Sequence, residues 1–143
     1  MLPSDLERAI EEGHRAWDVF MRGDAGPALE LFSHGEEVSL ANPFGATVRG
    51  WDKVSEGVTV AATHYRDGVA TDFERIAEYA TPDLAYIVEV ERFQSKIGGA
   101  DEITPFSLRV TTVLRREEDG WRMLHRHADP ITSPRPPESL LRQ

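Results

Sequence analysis

The sequence predicts an α+β fold in which three N-terminal helices pack in a strongly curved, mostly antiparallel sheet, a cone-like shape. Three observations predict it. Helical spacing of apolar residues is confined to the region before Asp67, period-two alternation fills most of the chain beyond Gly68, and the 143 residues suffice for one sizeable core. At 40% apolar and 29% charged residues the balance is that of a globular domain. The absence of cysteine excludes disulfide scaffolds, thiolate metal sites and thiol nucleophiles. A net charge of -9 opposes binding to phosphate backbones and anionic lipid, so neither a nucleic-acid nor a membrane partner is expected. The first residues lack the basic start and apolar run of a signal peptide, and no stretch approaches 18 apolar residues, so the expected location is the cytoplasm.

Ser4 with Glu7 reads as a capping box opening a first helix. Its apolar stripe runs through Leu6, Ile10, Trp17, Phe20 and Met21, with a stop at Arg22-Gly23. Asp24 caps a second, shorter helix carrying Ala28, Leu29, Leu31 and Phe32. Val38-Ser39-Leu40 and Ala46 to Arg49 are short strands around the turn Asn42-Pro43-Phe44-Gly45. Gly50-Trp51-Asp52 opens a third helix with Val54, Val58, Ala61, Ala62 and Tyr65 at helical spacing, closed by Asp67-Gly68.

Val69 to Tyr79 alternates, Thr81-Pro82-Asp83 turns, and Leu84 to Ser95 returns with Ile87, Glu89, Glu91 and Phe93 on one face. Phe106 to Arg116 and Trp121 to Asp129 form the last hairpin around Glu117-Glu118-Asp119-Gly120. Residues 1–130 are thus expected to form the domain. Residues 131–143 form a tail, since four prolines between Pro130 and Gln143 cannot continue a sheet.

Three stretches carry a resemblance to the nuclear transport factor 2-like superfamily, and within it to the SnoaL-like group. They are Met21-Arg22-Gly23-Asp24 with Leu29-Glu30-Leu31-Phe32, Val38 through Gly45 with Arg49-Gly50-Trp51, and the terminal hairpin from Leu108 through His127. That hairpin is also similar to the one in the association domain of calcium/calmodulin-dependent protein kinase II. The resemblance implies a pocket in the cone and a homodimer formed through the outer face of the sheet. Ketosteroid isomerases of this fold place a carboxylate base where this chain has Asn42, a phenol near Ala16 and a protonated acid near Thr112. None of the three groups is present, so that mechanism is not expected. The Asp-Arg-Asp set of limonene-epoxide-hydrolase-like members is also incomplete, because Arg109 is followed by Thr111 where a carboxylate is needed.

His125, His127 and Asp129 alternate along one strand and share a face. Together they fit an acid/base relay, or one core histidine and one at the mouth of the cone. The same spacing suits metal ligation, but no further histidine ligand is recognisable and no metal or other cofactor is expected. Glu89 and Glu91 share a face with apolar residues. Each is a candidate base with a raised pKa, or half of an interstrand ion pair with Arg109 or another cation. Arg109 with Thr111 fits an oxyanion or carboxylate anchor, or a clamp on those glutamates, and Asn42 fits an orienting amide. Trp17, Phe20, Trp51 and Tyr65 are expected as apolar walls, or simply as core. The expected function is binding of a small apolar carbonyl compound, with cofactor-independent isomerase, cyclase or dehydratase chemistry through His125, His127, Asp129 and Arg109. The alternative is a ligand carrier or an oligomerisation module.

Overall fold

A computed structural model describes residues 2–141. The chain runs α1 (Ser4–Phe20), α2 (Gly26–Leu31), β1 (Ser39–Ala41), β2 (Val48–Arg49), α3 (Trp51–Ala62), β3 (Tyr65–Ala80), β4 (Leu84–Ile97), β5 (Thr104–Glu117) and β6 (Gly120–Asp129), ending in a 3-10 turn at Pro137–Leu141. The six strands form one open sheet in the order β2-β1-β6-β5-β4-β3, antiparallel except for the parallel pair of β1 with β6. The helices fill the concave side, as the sequence predicts. No helix among the described residues is long and apolar enough to cross a membrane.

The stripe on α1 buries Leu6, Ile10, Ala16, Trp17 and Phe20 against the sheet. Its start differs from the predicted capping box. Pro3 is the N-cap, its carbonyl accepts the Glu7 N–H, and no side chain caps the helix. Asp24 Oδ1 accepts from Gly26 N at 3.0 Å, at the start of α2. The third helix also ends earlier than its periodicity suggests. Its last residue is Ala62, and Tyr65 opens β3. A helical spacing carried past Ala62 is coincidental, because Tyr65 and Arg66 pair with Ile97 and Lys96 of β4.

Register shifts at Arg66/Val69, Ala70/Asp72 and Arg75/Ala77 bend β3 around the helices. The first is pinned to the end of α1, because Gly68 N donates to the Met21 carbonyl at 3.1 Å. The fully buried Ser95 hydroxyl accepts from Arg66 N at 3.2 Å and sits 3.1 Å from the same Met21 carbonyl. Glycine is required here, since a Cβ at position 68 would lie 2.4 Å from the Gln94 carbonyl oxygen. Gly68→Ala is therefore expected to lower stability by about 1–3 kcal/mol. Urea denaturation checks this, and an unchanged midpoint would show that the bend tolerates a side chain.

Candidate functional site

Along β4 the residues Ala85, Ile87, Glu89, Glu91, Phe93 and Ser95 all point into the cone and are buried. Glu91 meets Arg126 of β6 in a two-pronged ion pair, Nη1 to Oε2 at 3.0 Å and Nη2 to Oε1 at 2.8 Å, with both side chains excluded from solvent. The Arg126 guanidinium lies over the Trp17 ring, its central carbon 3.8 Å from the ring centre. Such a contact adds roughly 0.5–2 kcal/mol where water is excluded. Glu89 pairs elsewhere, accepting from Arg75 Nε at 2.9 Å and meeting His14 Nε2 at 2.8 Å. Both glutamates are thus paired inside the cone, and neither partner is Arg109.

This cluster partitions the interior. A mouth-side chamber is walled by Trp17, Phe20, Leu40, Tyr65, Phe93 and Leu108, roofed by Phe44, and reached by Asn42 and Arg126. A base-side chamber lies between α1 and the sheet and carries His14, Glu89, Glu91 and Thr112 among apolar residues. Trp17 lines both. Each encloses about 40 Å³, space for a few waters at most before side chains move.

The mouth-side chamber offers donors. Tyr65 is 4% exposed, yet no described protein group bonds its hydroxyl, which therefore opens onto the chamber. Burial, reinforced by the Glu91 charge and opposed by that of Arg126, pushes the phenol up to about 12, so it remains a donor at ordinary pH. Asn42 Oδ1 accepts from Phe44 N at 2.9 Å, holding the Asn42-Pro43-Phe44-Gly45 turn over the opening and leaving the Asn42 amide nitrogen for a ligand.

His125, His127, Asp129 and Arg109 share a face, but it is the convex one. A bulge between Val113 and Leu114 of β5 leaves Leu124 of β6 unpaired, and one extra residue reverses every side chain beyond it. Trp121 and Met123 point inward before the bulge, and Arg126 and Ala128 after it. His125 Nδ1 lies 2.7 Å from Ser39 Oγ, and burial together with the neighbouring His127 pushes its pKa down. Asp129 accepts from Arg109 Nε at 2.7 Å and meets His127 Nε2 at 2.9 Å. Burial acts to raise the Asp129 carboxyl, but the Ile131 N–H, Arg109 and His127 together hold it below the usual range. Thr111 lies on this outer face opposite His127. None of these five residues lines either chamber, which corrects the expectation that they face a ligand in the cone.

Of the expected walls, Trp17, Phe20 and Tyr65 line the mouth-side chamber, whereas Trp51 stacks on His34 outside it at 3.8 Å. Arg126 and His14 are not evident from the alternation alone. His14 does carry a sequence signal, because it falls between Ile10 and Trp17 at helical spacing and so interrupts the apolar stripe with an imidazole. Among the described residues no three acidic or imidazole side chains converge as metal ligands.

A domain of this cone shape, with helices over a bent sheet, defines a class known from many solved structures. The chain belongs to the SnoaL-like domain family, whose model matches residues 11–132. It is similar to a nuclear transport factor 2-like superfamily protein from Salmonella enterica subsp. enterica serovar Typhimurium str. LT2, with 20% identity, TM-score 0.76, and 94% of this chain and 97% of that one covered. It is also similar to a ketosteroid isomerase-like protein from Erwinia carotovora atroseptica SCRI1043, with 17% identity, TM-score 0.71, and coverage of 89% and 94%. An NTF2-like protein of unknown function from Pseudomonas putida KT2440 matches with 18% identity, TM-score 0.73, and coverage of 95% and 89%. At these identities the likeness establishes the fold. No curated protein matches the sequence significantly.

Removing one member of the buried pair strands the other. Arg126→Met and Glu91→Leu are each expected to cost about 3–5 kcal/mol in urea denaturation. The double variant should lose less than the sum, with a coupling of about 0.5–3 kcal/mol. Strict additivity would show that the two groups do not stabilise one another.

Proposed function

We propose that the protein binds a small, mostly apolar molecule through a carbonyl oxygen in the mouth-side chamber. The observation that carries this reading is the Tyr65 hydroxyl, which no described protein group bonds and which opens onto an apolar space that also receives Asn42 and Arg126. A ligand acceptor there adds a hydrogen bond of about 0.5–1.5 kcal/mol. The polar groups aimed at this chamber are donors, and among the described residues no carboxylate or imidazole lines it. That arrangement suits holding or polarising a carbonyl and favours a carrier. Isomerase, cyclase or dehydratase chemistry needs a base from elsewhere in the cone.

Self-association through the convex face of the sheet accompanies this reading. Tyr79 and Tyr86 pair across β3 and β4, are 61% and 40% exposed, and adjoin the half-buried Val88, Val90 and Val113. A contiguous apolar surface of this kind favours a two-fold interface in which the same patch meets itself.

Tyr65→Phe tests the pocket. With acetophenone as the probe, affinity measured by calorimetry is expected to fall about tenfold, the equivalent of one hydrogen bond. The thermal midpoint of the free variant should stay level, since the hydroxyl bonds no described protein group. Equal affinity in both forms, or no acetophenone binding, removes the pocket reading. Sedimentation velocity tests the interface. The unaltered chain is expected to sediment as a dimer and Tyr86→Glu as a monomer, whereas a monomeric unaltered chain at tens of micromolar overturns the dimer.

A further inference from the structure

Residues paired across neighbouring strands project to the same side of a sheet, so the register lays the convex face out in rows. One row runs through Tyr79 of β3, Tyr86 of β4, Val113 of β5, His125 of β6, Ser39 of β1 and Arg49 of β2. The next runs through Ala77, Val88, Thr111, His127 and Ala41. The apolar surface proposed above for self-association is therefore continuous with a pair of histidines. They stand two strands from Tyr86 and Val88, about 10 Å at the usual strand spacing. A standard interface covers about 800 Å² on each copy, a patch of roughly 16 Å radius. A contact centred on Tyr86 and Val88 thus covers both rings.

The two rings differ in what could balance a charge. His127 Nε2 lies 2.9 Å from Asp129 Oδ2, so a carboxylate adjoins it. His125 Nδ1 lies 2.7 Å from the Ser39 hydroxyl, and among the described residues no carboxylate bonds its ring. The charged or titratable groups on the strands around His125 are Arg49 of β2, Arg115 of β5, and Arg122 and His127 of β6. None is an acid. Glu37, two residues before Ser39, is held by Arg115 at 2.9 Å. The other carboxylates on this face are also engaged, Asp129 with Arg109, and Asp72 and Glu74 with Arg92. Burial, joined by the charge of His127, pushes the His125 pKa down within one copy, against the Ser39 contact. Covering the ring removes more water and acts in the same direction.

We propose that His125 makes self-association through the convex face pH-dependent: the neutral ring permits the face-to-face contact, and the protonated ring opposes it. This rests on the convex-face dimer proposed above and adds the condition under which it forms. A neutral imidazole can be covered by a second copy, whereas an imidazolium brings an unpaired charge onto an apolar surface. The covered ring holds its proton less tightly than the ring of a separate copy. The dimer therefore carries fewer protons, and its separation takes up as many as two, one at each His125. Its Kd is level above the range in which the separate ring titrates and rises as pH falls through that range, by as much as about 100-fold per pH unit.

Sedimentation equilibrium of the full chain at pH 8 and pH 5.5 tests this, with circular dichroism to verify the fold at both. Kd is expected to be at least tenfold higher at pH 5.5. His125→Phe should keep the tight association at both pH values. His125→Arg, charged throughout, should weaken the dimer at pH 8, and His127→Gln should retain the dependence. A dimer with the same Kd at both pH values, or a dependence that survives His125→Phe, overturns the role of His125 and leaves the dimer standing. A chain that is monomeric at pH 8 at tens of micromolar overturns the dimer itself, and the switch with it. A second measurement needs no substitution. The His125 ring titration followed by NMR should have a lower midpoint at millimolar than at low micromolar protein, and a midpoint independent of concentration in a chain that dimerises overturns the proposal.

Discussion

Glu91 and Arg126 bring full charges into a core otherwise built from aromatic and aliphatic side chains, and much of the architecture is arranged around making that tolerable. Each ion alone would be costly to desolvate, whereas together they satisfy one another through two parallel hydrogen bonds. Trp17 covers the guanidinium face, so the pair fixes the distance between β4, β6 and α1. Arg126 also sits in register with Leu40 of β1, on the one parallel pairing in the sheet. The short strands at the mouth are thereby tied to the same point. The cluster also specifies an arrangement, because well-packed apolar residues of equal volume would not need one geometry.

The same pair shows what the sequence conveys and what it withholds. Helical spacing locates α1, and alternation locates β4 with the facing of Ile87, Glu89, Glu91 and Phe93, since both signals are local. The facing of β6 is different. Alternation places His125 with Trp121 and Met123, and it fails because Leu124 is extruded where β6 meets β5. A bulge arises from pairing with a distant strand, so nothing within Trp121 to Asp129 announces it. One displaced residue exchanges a plausible relay for Arg126, the residue that completes the core. Tyr65 is legible as a wall, although its placement on a strand depends on contacts with Ile97 that helical spacing does not reveal.

Polar groups divide by chemistry across the partition. Tyr65 and Asn42 supply donors toward the mouth, and the His14–Glu89 pair lies behind Trp17. Glu89 and Glu91, two residues apart on one strand face, take different roles because their partners differ in chemistry. Arg126 cannot release a proton, so Glu91 is held as a fixed ion pair. Glu89 is instead shared between the His14 ring and Arg75. Neither assignment can be read from the net charge, which reflects the surface.

The small volumes of the two chambers then limit what can enter. Space of about 40 Å³ per chamber means that a ligand with several carbon atoms must displace a side chain. Trp17 is poorly suited to move, being 6% exposed and clamped under Arg126. Phe44 is 48% exposed, sits on a tight turn, and packs against His64 and Tyr65 at its edges. Swinging it outward gives up modest contact area and uncovers the Tyr65 hydroxyl, whereas shifting Trp17 breaks the arrangement on which β4, β6 and α1 depend. Of the two aromatic side chains, Phe44 is thus the one whose displacement leaves the contacts among β4, β6 and α1 in place.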